Sequence, residues 1–139
     1  MGFKIIDHTA DVGIEAAGST IGSLFENCAL GMISLMIKLS PENNIIRKTV
    51  TININGTDDT DILYGFLSEV LYLFEGENFV PESFSDTSLE NGKFSTLAEG
   101  CEIIPAQAEF LHEIKAVTFH GMEITQQNGE WKTQVIFDI

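Results

Sequence analysis

The chain has few positively charged residues. Its 139 residues include seven lysines and arginines against 21 aspartates and glutamates, so the formal net charge is −14 at pH 7. Affinity for nucleic acid comes mainly from lysine and arginine side chains that displace counterions from phosphates. We therefore expect no direct binding of nucleic acid, and the charge favours a cation or a basic protein surface as partner. Acidity that only keeps a small protein in solution is the alternative.

Long apolar runs are also missing. No stretch approaches the roughly 20 consecutive apolar residues that a membrane-spanning helix needs, and the first residues lack the apolar segment of a secretory signal. We therefore expect a cytoplasmic protein with no membrane partner. A hydrophobic fraction of 44% is too high for a disordered chain. The length suits one domain that covers residues 1–139.

The residue patterns of common enzymes are missing as well. The sequence contains no nucleophile elbow, phosphate-binding loop, dinucleotide fingerprint or zinc-protease motif. The two cysteines, Cys28 and Cys101, are too far apart in sequence for a closely spaced pair of zinc ligands or a redox pair. Cys28 falls on the apolar stripe of a predicted helix, which indicates packing in the core.

Apolar residues recur at steps of three and four in two segments, and this spacing predicts two amphipathic helices. The first covers residues 21–39, with a cap at Ser19 or Thr20 and a stop at Pro41. The second covers about residues 60–74.

Three aspartates, Asp58, Asp59 and Asp61, crowd the start of the second helix. Carboxylates there interact favourably with the helix dipole, by about 0.3–1 kcal/mol each at exposed sites. This interpretation is preferred, and a metal site at the three aspartates is the alternative.

The other segments alternate apolar and polar residues, as half-buried strands do. Strands are predicted at residues 3–7, 12–16, 46–54, 84–90, 93–99, 115–120, 122–127 and 130–137. Asn91-Gly92 and Asn128-Gly129 are typical of tight hairpin turns. The order predicts an α+β fold, a single domain with two helices packed on one mostly antiparallel sheet. Residues 131–137 should pair inside that sheet, with Ile136 covered.

Acidic groups stand near both ends of the sequence. The first are in Asp7-His8-Thr9-Ala10-Asp11-Val12-Gly13 and the last in Val135-Ile136-Phe137-Asp138-Ile139. Asp138 and the carboxylate of Ile139 repel each other unless a positive charge lies nearby. With a third carboxylate from another strand they would form an oxygen-rich site for a hard cation. A solvated terminus and carboxylates that only bond local turns are the alternatives.

Residues 112–120 also alternate as a strand does, and they contain His112, Lys115 and His120. The two histidines would be about 26 Å apart along a strand, too far to bind one metal ion. Lys115 is either a functional cation or the partner of an acidic residue, and the ion pair is preferred.

Taken together, these segments resemble the archease family over nearly the whole chain. Besides the two acidic motifs, the resemblance rests on Leu24-Phe25, Asp61-Ile62-Leu63, Glu69-Val70-Leu71-Tyr72-Leu73-Phe74-Glu75, Ile114-Lys115-Ala116-Val117-Thr118-Phe119-His120 and Trp131. One departure is Phe119, where the family often has tyrosine, so this chain lacks that hydroxyl.

The resemblance implies a protein cofactor, not an enzyme. Archeases act with the RtcB-type RNA ligase in tRNA splicing and RNA repair, where they promote guanylylation of the ligase and multiple turnover. The family's divalent-cation site corresponds to Asp11, Asp138 and Ile139. Lys115 and His120 correspond to positions linked to ligase activation. Calcium is the expected ion, although oxygen ligands also suit magnesium and manganese.

A function of another class stays open. Asp11 and Asp138 could hold the metal of a stand-alone hydrolase or transferase that activates water. The missing nucleophile and phosphate-binding loop favour the protein cofactor.

Overall fold

The computed structural model describes residues 2–7, 11–43 and 46–139. In these residues the chain forms two α-helices, two short 3-10 helices and ten strands, which confirms the predicted α+β class. Their order is β1 (Phe3–Asp7), β2 (Asp11–Gly18), α1 (Ile21–Met36), β3 (Ile37–Lys38), β4 (Ile46–Asn55), α2 (Asp59–Glu77), β5 (Phe79–Glu90), β6 (Lys93–Glu102), β7 (Glu109–Phe110), β8 (Ala116–Val117), β9 (Thr125–Gln127) and β10 (Glu130–Asp138).

The strands form three sheets, so the expectation of one sheet was wrong. The largest has the order β1-β2-β10-β8, with β9 also paired to β10; the others are β4-β6-β5 and β3-β7. Every pairing is antiparallel. Both helices contact strands of the two larger sheets, since α1 meets β2 and β5 while α2 meets β4 and β8. The helices thus bury apolar side chains against two sheets at once, which one continuous sheet would not allow.

Three phenylalanines join the helices to the sheet of β4, β5 and β6. The ring of Phe94 on β6 lies 5.3 Å from that of Phe25 on α1 and 4.7 Å from that of Phe66 on α2. All three side chains are buried. Tilted aromatic pairs at such distances contribute about 0.5–1.5 kcal/mol beyond their burial, so this cluster helps to fix the helix positions.

The predicted start of α1 is confirmed, but its predicted end is not. Thr20 and Ser23 form a capping box, in which each side-chain oxygen accepts the other residue's backbone N–H at 3.0 Å. The helix ends at Met36 because Ile37 is extended and pairs with Phe110 across the β3–β7 ladder. Ile37 is buried there.

Helix α2 begins with two of the three clustered aspartates bonded to backbone amides. The Asp58 carboxylate accepts the N–H of Asp61 at 2.8 Å, and the Asp61 carboxylate accepts the N–H of Thr57 at 3.0 Å. The first of these bonds satisfies an amide that the helix start leaves without a partner, and the second ties the preceding residue to the first turn. The geometry therefore gives Asp58 and Asp61 capping roles, in line with the interpretation as a helix terminus.

The two Asn-Gly turns occur where they were predicted. Asn91, Gly92, Asn128 and Gly129 all have positive φ, between 54° and 76°, as the two central residues of this tight hairpin turn require. The second turn joins β9 to β10, and β10 pairs with three other strands. Ile136 on β10 is only 5% exposed, so the prediction that it is covered is confirmed.

The predicted strand over residues 115–120 is shorter in the structure, where β8 covers only Ala116–Val117. Both the backbone N–H and the hydroxyl of Thr118 donate to the carbonyl of Ile136, at 3.1 and 2.9 Å. The chain then turns at Gly121, where φ is 66°. The alternation of apolar and polar residues therefore predicted too long a strand. After Val117, hydrogen bonds from a loop replace the regular strand pairing with β10.

Both cysteines are buried, as free thiols. Burial raises the pKa of the Cys28 thiol on α1, as expected for a residue that packs in the core. Within the described residues, no helix combines the length and hydropathy that a membrane crossing requires.

We expect Asp58→Ala to lower the free energy of unfolding by about 0.5–2 kcal/mol, because the amide of Asp61 loses its acceptor. Asp59→Ala is the control, since the Asp59 side chain bonds no described residue. It should cost less, because only a dipole interaction is lost. Urea unfolding measures both, and equal losses would contradict a specific role for the cap.

Candidate metal centre

The structure places Asp11 and Asp138 directly opposite each other, at the end of the ladder between β2 and β10. Residues directly opposite in an antiparallel pair share one face, with Cβ atoms about 4.5–5.5 Å apart. Their neighbours Val12 and Phe137 are buried. Because side chains alternate along a strand, the two carboxylates lie on the other face of the sheet, away from the core.

The two carboxylates differ in exposure. Oδ1 of Asp11 is buried from solvent, whereas Asp138 is exposed. Ile139 follows Asp138 directly, outside the strand, and is also exposed. The three residues predicted as metal ligands are therefore neighbours. Oδ1 of Asp11 is buried, whereas Asp138 and Ile139 are exposed to solvent.

Lys115 lies beside this acid pair through its main chain. Its backbone N–H donates to the carbonyl of Asp138 at 2.8 Å, and the next residue, Ala116, pairs with Asp138. The Lys115 side chain is exposed and makes no salt bridge with any residue that the structure describes. The preferred ion pair of Lys115 is thus not found in the described part of the chain.

The two histidines of residues 112–120 occupy separate loops. His120 stands in the turn before Gly121, is exposed, and donates its backbone N–H to Thr118 Oγ1 at 3.2 Å. His112 donates its backbone N–H to the carbonyl of Leu35 at 3.0 Å. No hydrogen bond or salt bridge joins either histidine side chain to the acid pair among the described residues.

The donor set suits a hard cation, because it consists of carboxylate and main-chain oxygens. The described residues contain no group of three or more histidine, cysteine, aspartate or glutamate side chains that could hold a metal ion. Asp11 and Asp138 are therefore two candidate ligand side chains, and no third histidine, cysteine, aspartate or glutamate of the described residues joins them in such a group. Residues 8–10 of the N-terminal motif lie outside the described residues, and Asp7 ends β1 opposite Val12.

One aromatic contact near the site was not predicted. The ring of Phe119 stacks on Tyr64 of α2, with centroids 4.1 Å apart and planes inclined by 14°. The sequence indicated only that Phe119 lacks the hydroxyl of a tyrosine. Nothing in residues 60–74 indicated that Tyr64 would meet this loop, because the contact depends on the packing of α2 beside β8.

Comparisons with known proteins agree on one family. The profile of the Archease protein family (MTH1598/TM1083) matches residues 3–139. The chain is 35% identical to protein archease of Methanosarcina mazei, covering 99% of this chain and 95% of that one. It is 32% identical to protein archease of Pyrococcus furiosus, covering 96% and 95%.

Solved structures also resemble the chain. The solution structure of protein 1598 from Methanobacterium thermoautotrophicum matches with a TM-score of 0.78 and 31% identity, covering 99% of each chain. The crystal structure of a Thermotoga maritima protein, described as an archease and possible chaperone, has a TM-score of 0.68 and covers 96% of this chain and 94% of that one. At 19% identity, the latter supports the fold alone.

Like charges directly opposite in a ladder are destabilising. We therefore expect Asp138→Asn to raise the free energy of unfolding by about 0.2–1 kcal/mol in buffer that contains a chelator. Glu99→Gln is the control, since exposed Glu99 lies opposite Thr49 and Ser83 and faces no acid. A lower stability of Asp138→Asn in urea unfolding would show that the two carboxylates do not repel each other.

Proposed function

This chain is a member of the archease family, and on that premise we propose that it is a protein cofactor of an RtcB-type RNA ligase. In this role it promotes guanylylation of the ligase and multiple turnover, in tRNA splicing and RNA repair in the cytoplasm. The observation that carries the proposal is the acid pair, in which the ladder of β2 and β10 holds Asp11 opposite Asp138. The net charge of −14 suits a protein partner better than direct contact with RNA.

The proposal assigns a divalent cation to Asp11, Asp138 and a main-chain oxygen of Ile139. Calcium is the ion that the resemblance to the family implies, and the three oxygen donors suit magnesium and manganese equally well. When bound, the ion supplies positive charge that offsets the two carboxylates and can meet an anionic group of the ligase or its nucleotide. The exposed side of Asp138 and Ile139 leaves room for that group.

Lys115 provides a second positive charge at the same edge of the sheet. Its backbone is bonded to Asp138, and its side chain has no salt bridge in the described part of the chain. We assign it the contact with an anionic group of the ligase–nucleotide complex. His120, two residues after Thr118 in the adjoining turn, is a secondary contact in the same proposal.

Asp11→Asn should reduce stimulation of the ligase to the level of the ligase alone, because it removes a charged ligand at nearly constant shape. The measurement is multiple-turnover ligation by a purified RtcB-type ligase with and without this chain. Glu99→Gln, at an exposed acid on another sheet, should stimulate like the unaltered protein. Unchanged stimulation by Asp11→Asn would refute the role of the acid pair. Hydrolysis or group transfer by this chain without ligase would instead favour a stand-alone metal enzyme.

Calcium should raise the melting temperature, because an ion that binds only the folded state stabilises it by mass action. The gain is about 2.7 kcal/mol when calcium reaches 100 times its dissociation constant. Asp138→Asn should lose most of this gain. Thermal unfolding with calcium and with chelator measures it in the absence of ligase. A chain indifferent to calcium, magnesium and manganese would contradict the cation site.

A further inference from the structure

A groove runs beside the acid pair, between one face of α2 and residues 110–117. It consists of a cavity of about 280 Å³, whose walls include Tyr72 and Lys115, and a cavity of about 400 Å³, whose walls include Phe110 and Leu111. Glu75 of α2 lines both, so the two cavities adjoin. We call this surface the α2 groove.

Exposed aromatic side chains gather at the α2 groove. Among the described residues, the large exposed aromatic side chains are Tyr72, Phe110 and Phe119, and all three lie in the groove or at its end. Phe119 stacks on Tyr64, and Phe110 meets Phe74 edge-on at 6.1 Å. Tyr64 and Phe74 are ten residues apart on α2, which makes the groove about 15 Å long at 1.5 Å per residue.

Such a surface is typical of a protein interface. Contiguous exposed apolar patches with polar rims mark interaction sites in soluble proteins, and tyrosine and phenylalanine are enriched in interface cores. Here α2 supports the exposed rings from behind at both ends, so they are positioned before any partner arrives. Rings held in this way lose little conformational freedom on binding.

The charge around the α2 groove indicates the chemistry of the partner. Glu75 and Glu113 line it, and Asp138 pairs with Ala116 in its wall. Neither glutamate makes a salt bridge with a described residue. Lys115 is the one lysine or arginine among the described lining residues. The surface is therefore apolar with an acidic rim, which complements apolar anchors flanked by basic side chains.

We propose that the α2 groove is the surface on which the RNA ligase docks, through a ligase segment with apolar anchors flanked by lysine or arginine. This inference rests on the proposed function. Lys115 and Ala116 belong both to the groove and to the contacts of Asp138, since the Lys115 N–H donates to the Asp138 carbonyl at 2.8 Å. A segment in the groove therefore lies one strand away from the acid pair. Docking of the ligase there would bring the acid pair close to the ligase.

Serine substitutions at the exposed rings test the proposal. Tyr72 and Phe110 are 61% and 51% exposed, so Tyr72→Ser and Phe110→Ser remove anchors with little loss of core packing. The matched controls are Ile5→Ser and Ile46→Ser, at side chains that are 49% and 46% exposed on β1 and β4. Biolayer interferometry on immobilised, purified ligase should show Kd raised about tenfold or more for the groove variants. The controls should stay within about twofold of the unaltered protein.

A second pair of variants tests the charge. Glu75→Gln should weaken binding and reduce its dependence on salt, because the rim loses a negative charge near the basic flanks. Glu99→Gln, an exposed acid outside the groove, should change neither. Melting temperatures identify variants that fold poorly. If Phe110→Ser melts early, Tyr72→Ser and Glu75→Gln still decide the matter, since their side chains are exposed.

The outcomes separate this inference from the proposed function. If the unaltered chain neither binds nor stimulates the ligase, the proposed function fails, and the docking surface with it. If it stimulates the ligase and the groove variants bind like the controls, only the α2 groove is refuted. The other possible occupant of the groove is a second copy of this chain, and light scattering tests it by measuring the oligomeric state. If the unaltered chain is a dimer, Tyr72→Ser is a monomer and ligase binding is unchanged, a second copy occupies the groove.

Discussion

The arrangement of the site depends on the pairing of β2 with β10. Eight residue pairs, from Trp131 opposite Gly18 to Asp138 opposite Asp11, join segments more than 100 positions apart in sequence. Gly13 allows this close fit: a Cβ at that position would stand 2.7 Å from Cδ1 of Ile136 and 2.8 Å from the carbonyl of Val135. The side chain of Ile136 therefore packs over the glycine, where it is buried although it lies on the outer face of the sheet.

The energies explain why two carboxylates can be held so close together. Their repulsion across the ladder costs about 0.2–1 kcal/mol. On the other face of the same two strands, Val12, Ile14, Val135 and Phe137 are buried against the helices. Each such side chain contributes about 1.5–3 kcal/mol on burial. The apolar face thus outweighs the acidic end several-fold, so the acid pair persists as a feature of the folded chain without any ion to assemble it.

The sequence patterns predicted the elements of the fold better than their limits and contacts. Apolar spacing located both helices, and Asn-Gly located both turns, because these signals are local. The predicted end of α1 was wrong because Leu39 continues the apolar spacing of the helix. In the structure the helix ends where Ile37 pairs with Phe110, more than 70 residues away in sequence. Residues 115–120 alternate like a strand, yet Thr118 bonds Ile136 from a loop.

The same holds for the candidate site: the sequence indicated which residues belong to it, but not how distant strands bring them together. Sequence and resemblance indicated Asp11, Asp138 and Ile139, but only the register of β2 and β10 places the two aspartates opposite each other. A register shift of one residue would move one of them to the other face. The exposed rings of the α2 groove had no local signal, since burial of an aromatic residue is decided by elements that pack around it. Tyr72 in fact belongs to a helix whose neighbouring residues, Leu71 and Leu73, are buried.

The shortness of β8 links the acid pair to the α2 groove. Residues 115–118 are held to the large sheet by the hydrogen bonds of Lys115 and Thr118 to β10 and by two ladder pairs, Phe137 with Val117 and Asp138 with Ala116. On their other side, Lys115, Ala116 and Val117 line the groove against α2. In the proposed complex, charge acts first, because the exposed carboxylates around the groove attract a basic partner over a Debye length of about 8 Å at physiological ionic strength. The apolar rings act only at contact. A partner bound in the groove is separated from Asp138 only by the short strand β8, whose Ala116 pairs with Asp138 and lines the groove. In the proposed complex the acid pair and the groove therefore act as one surface.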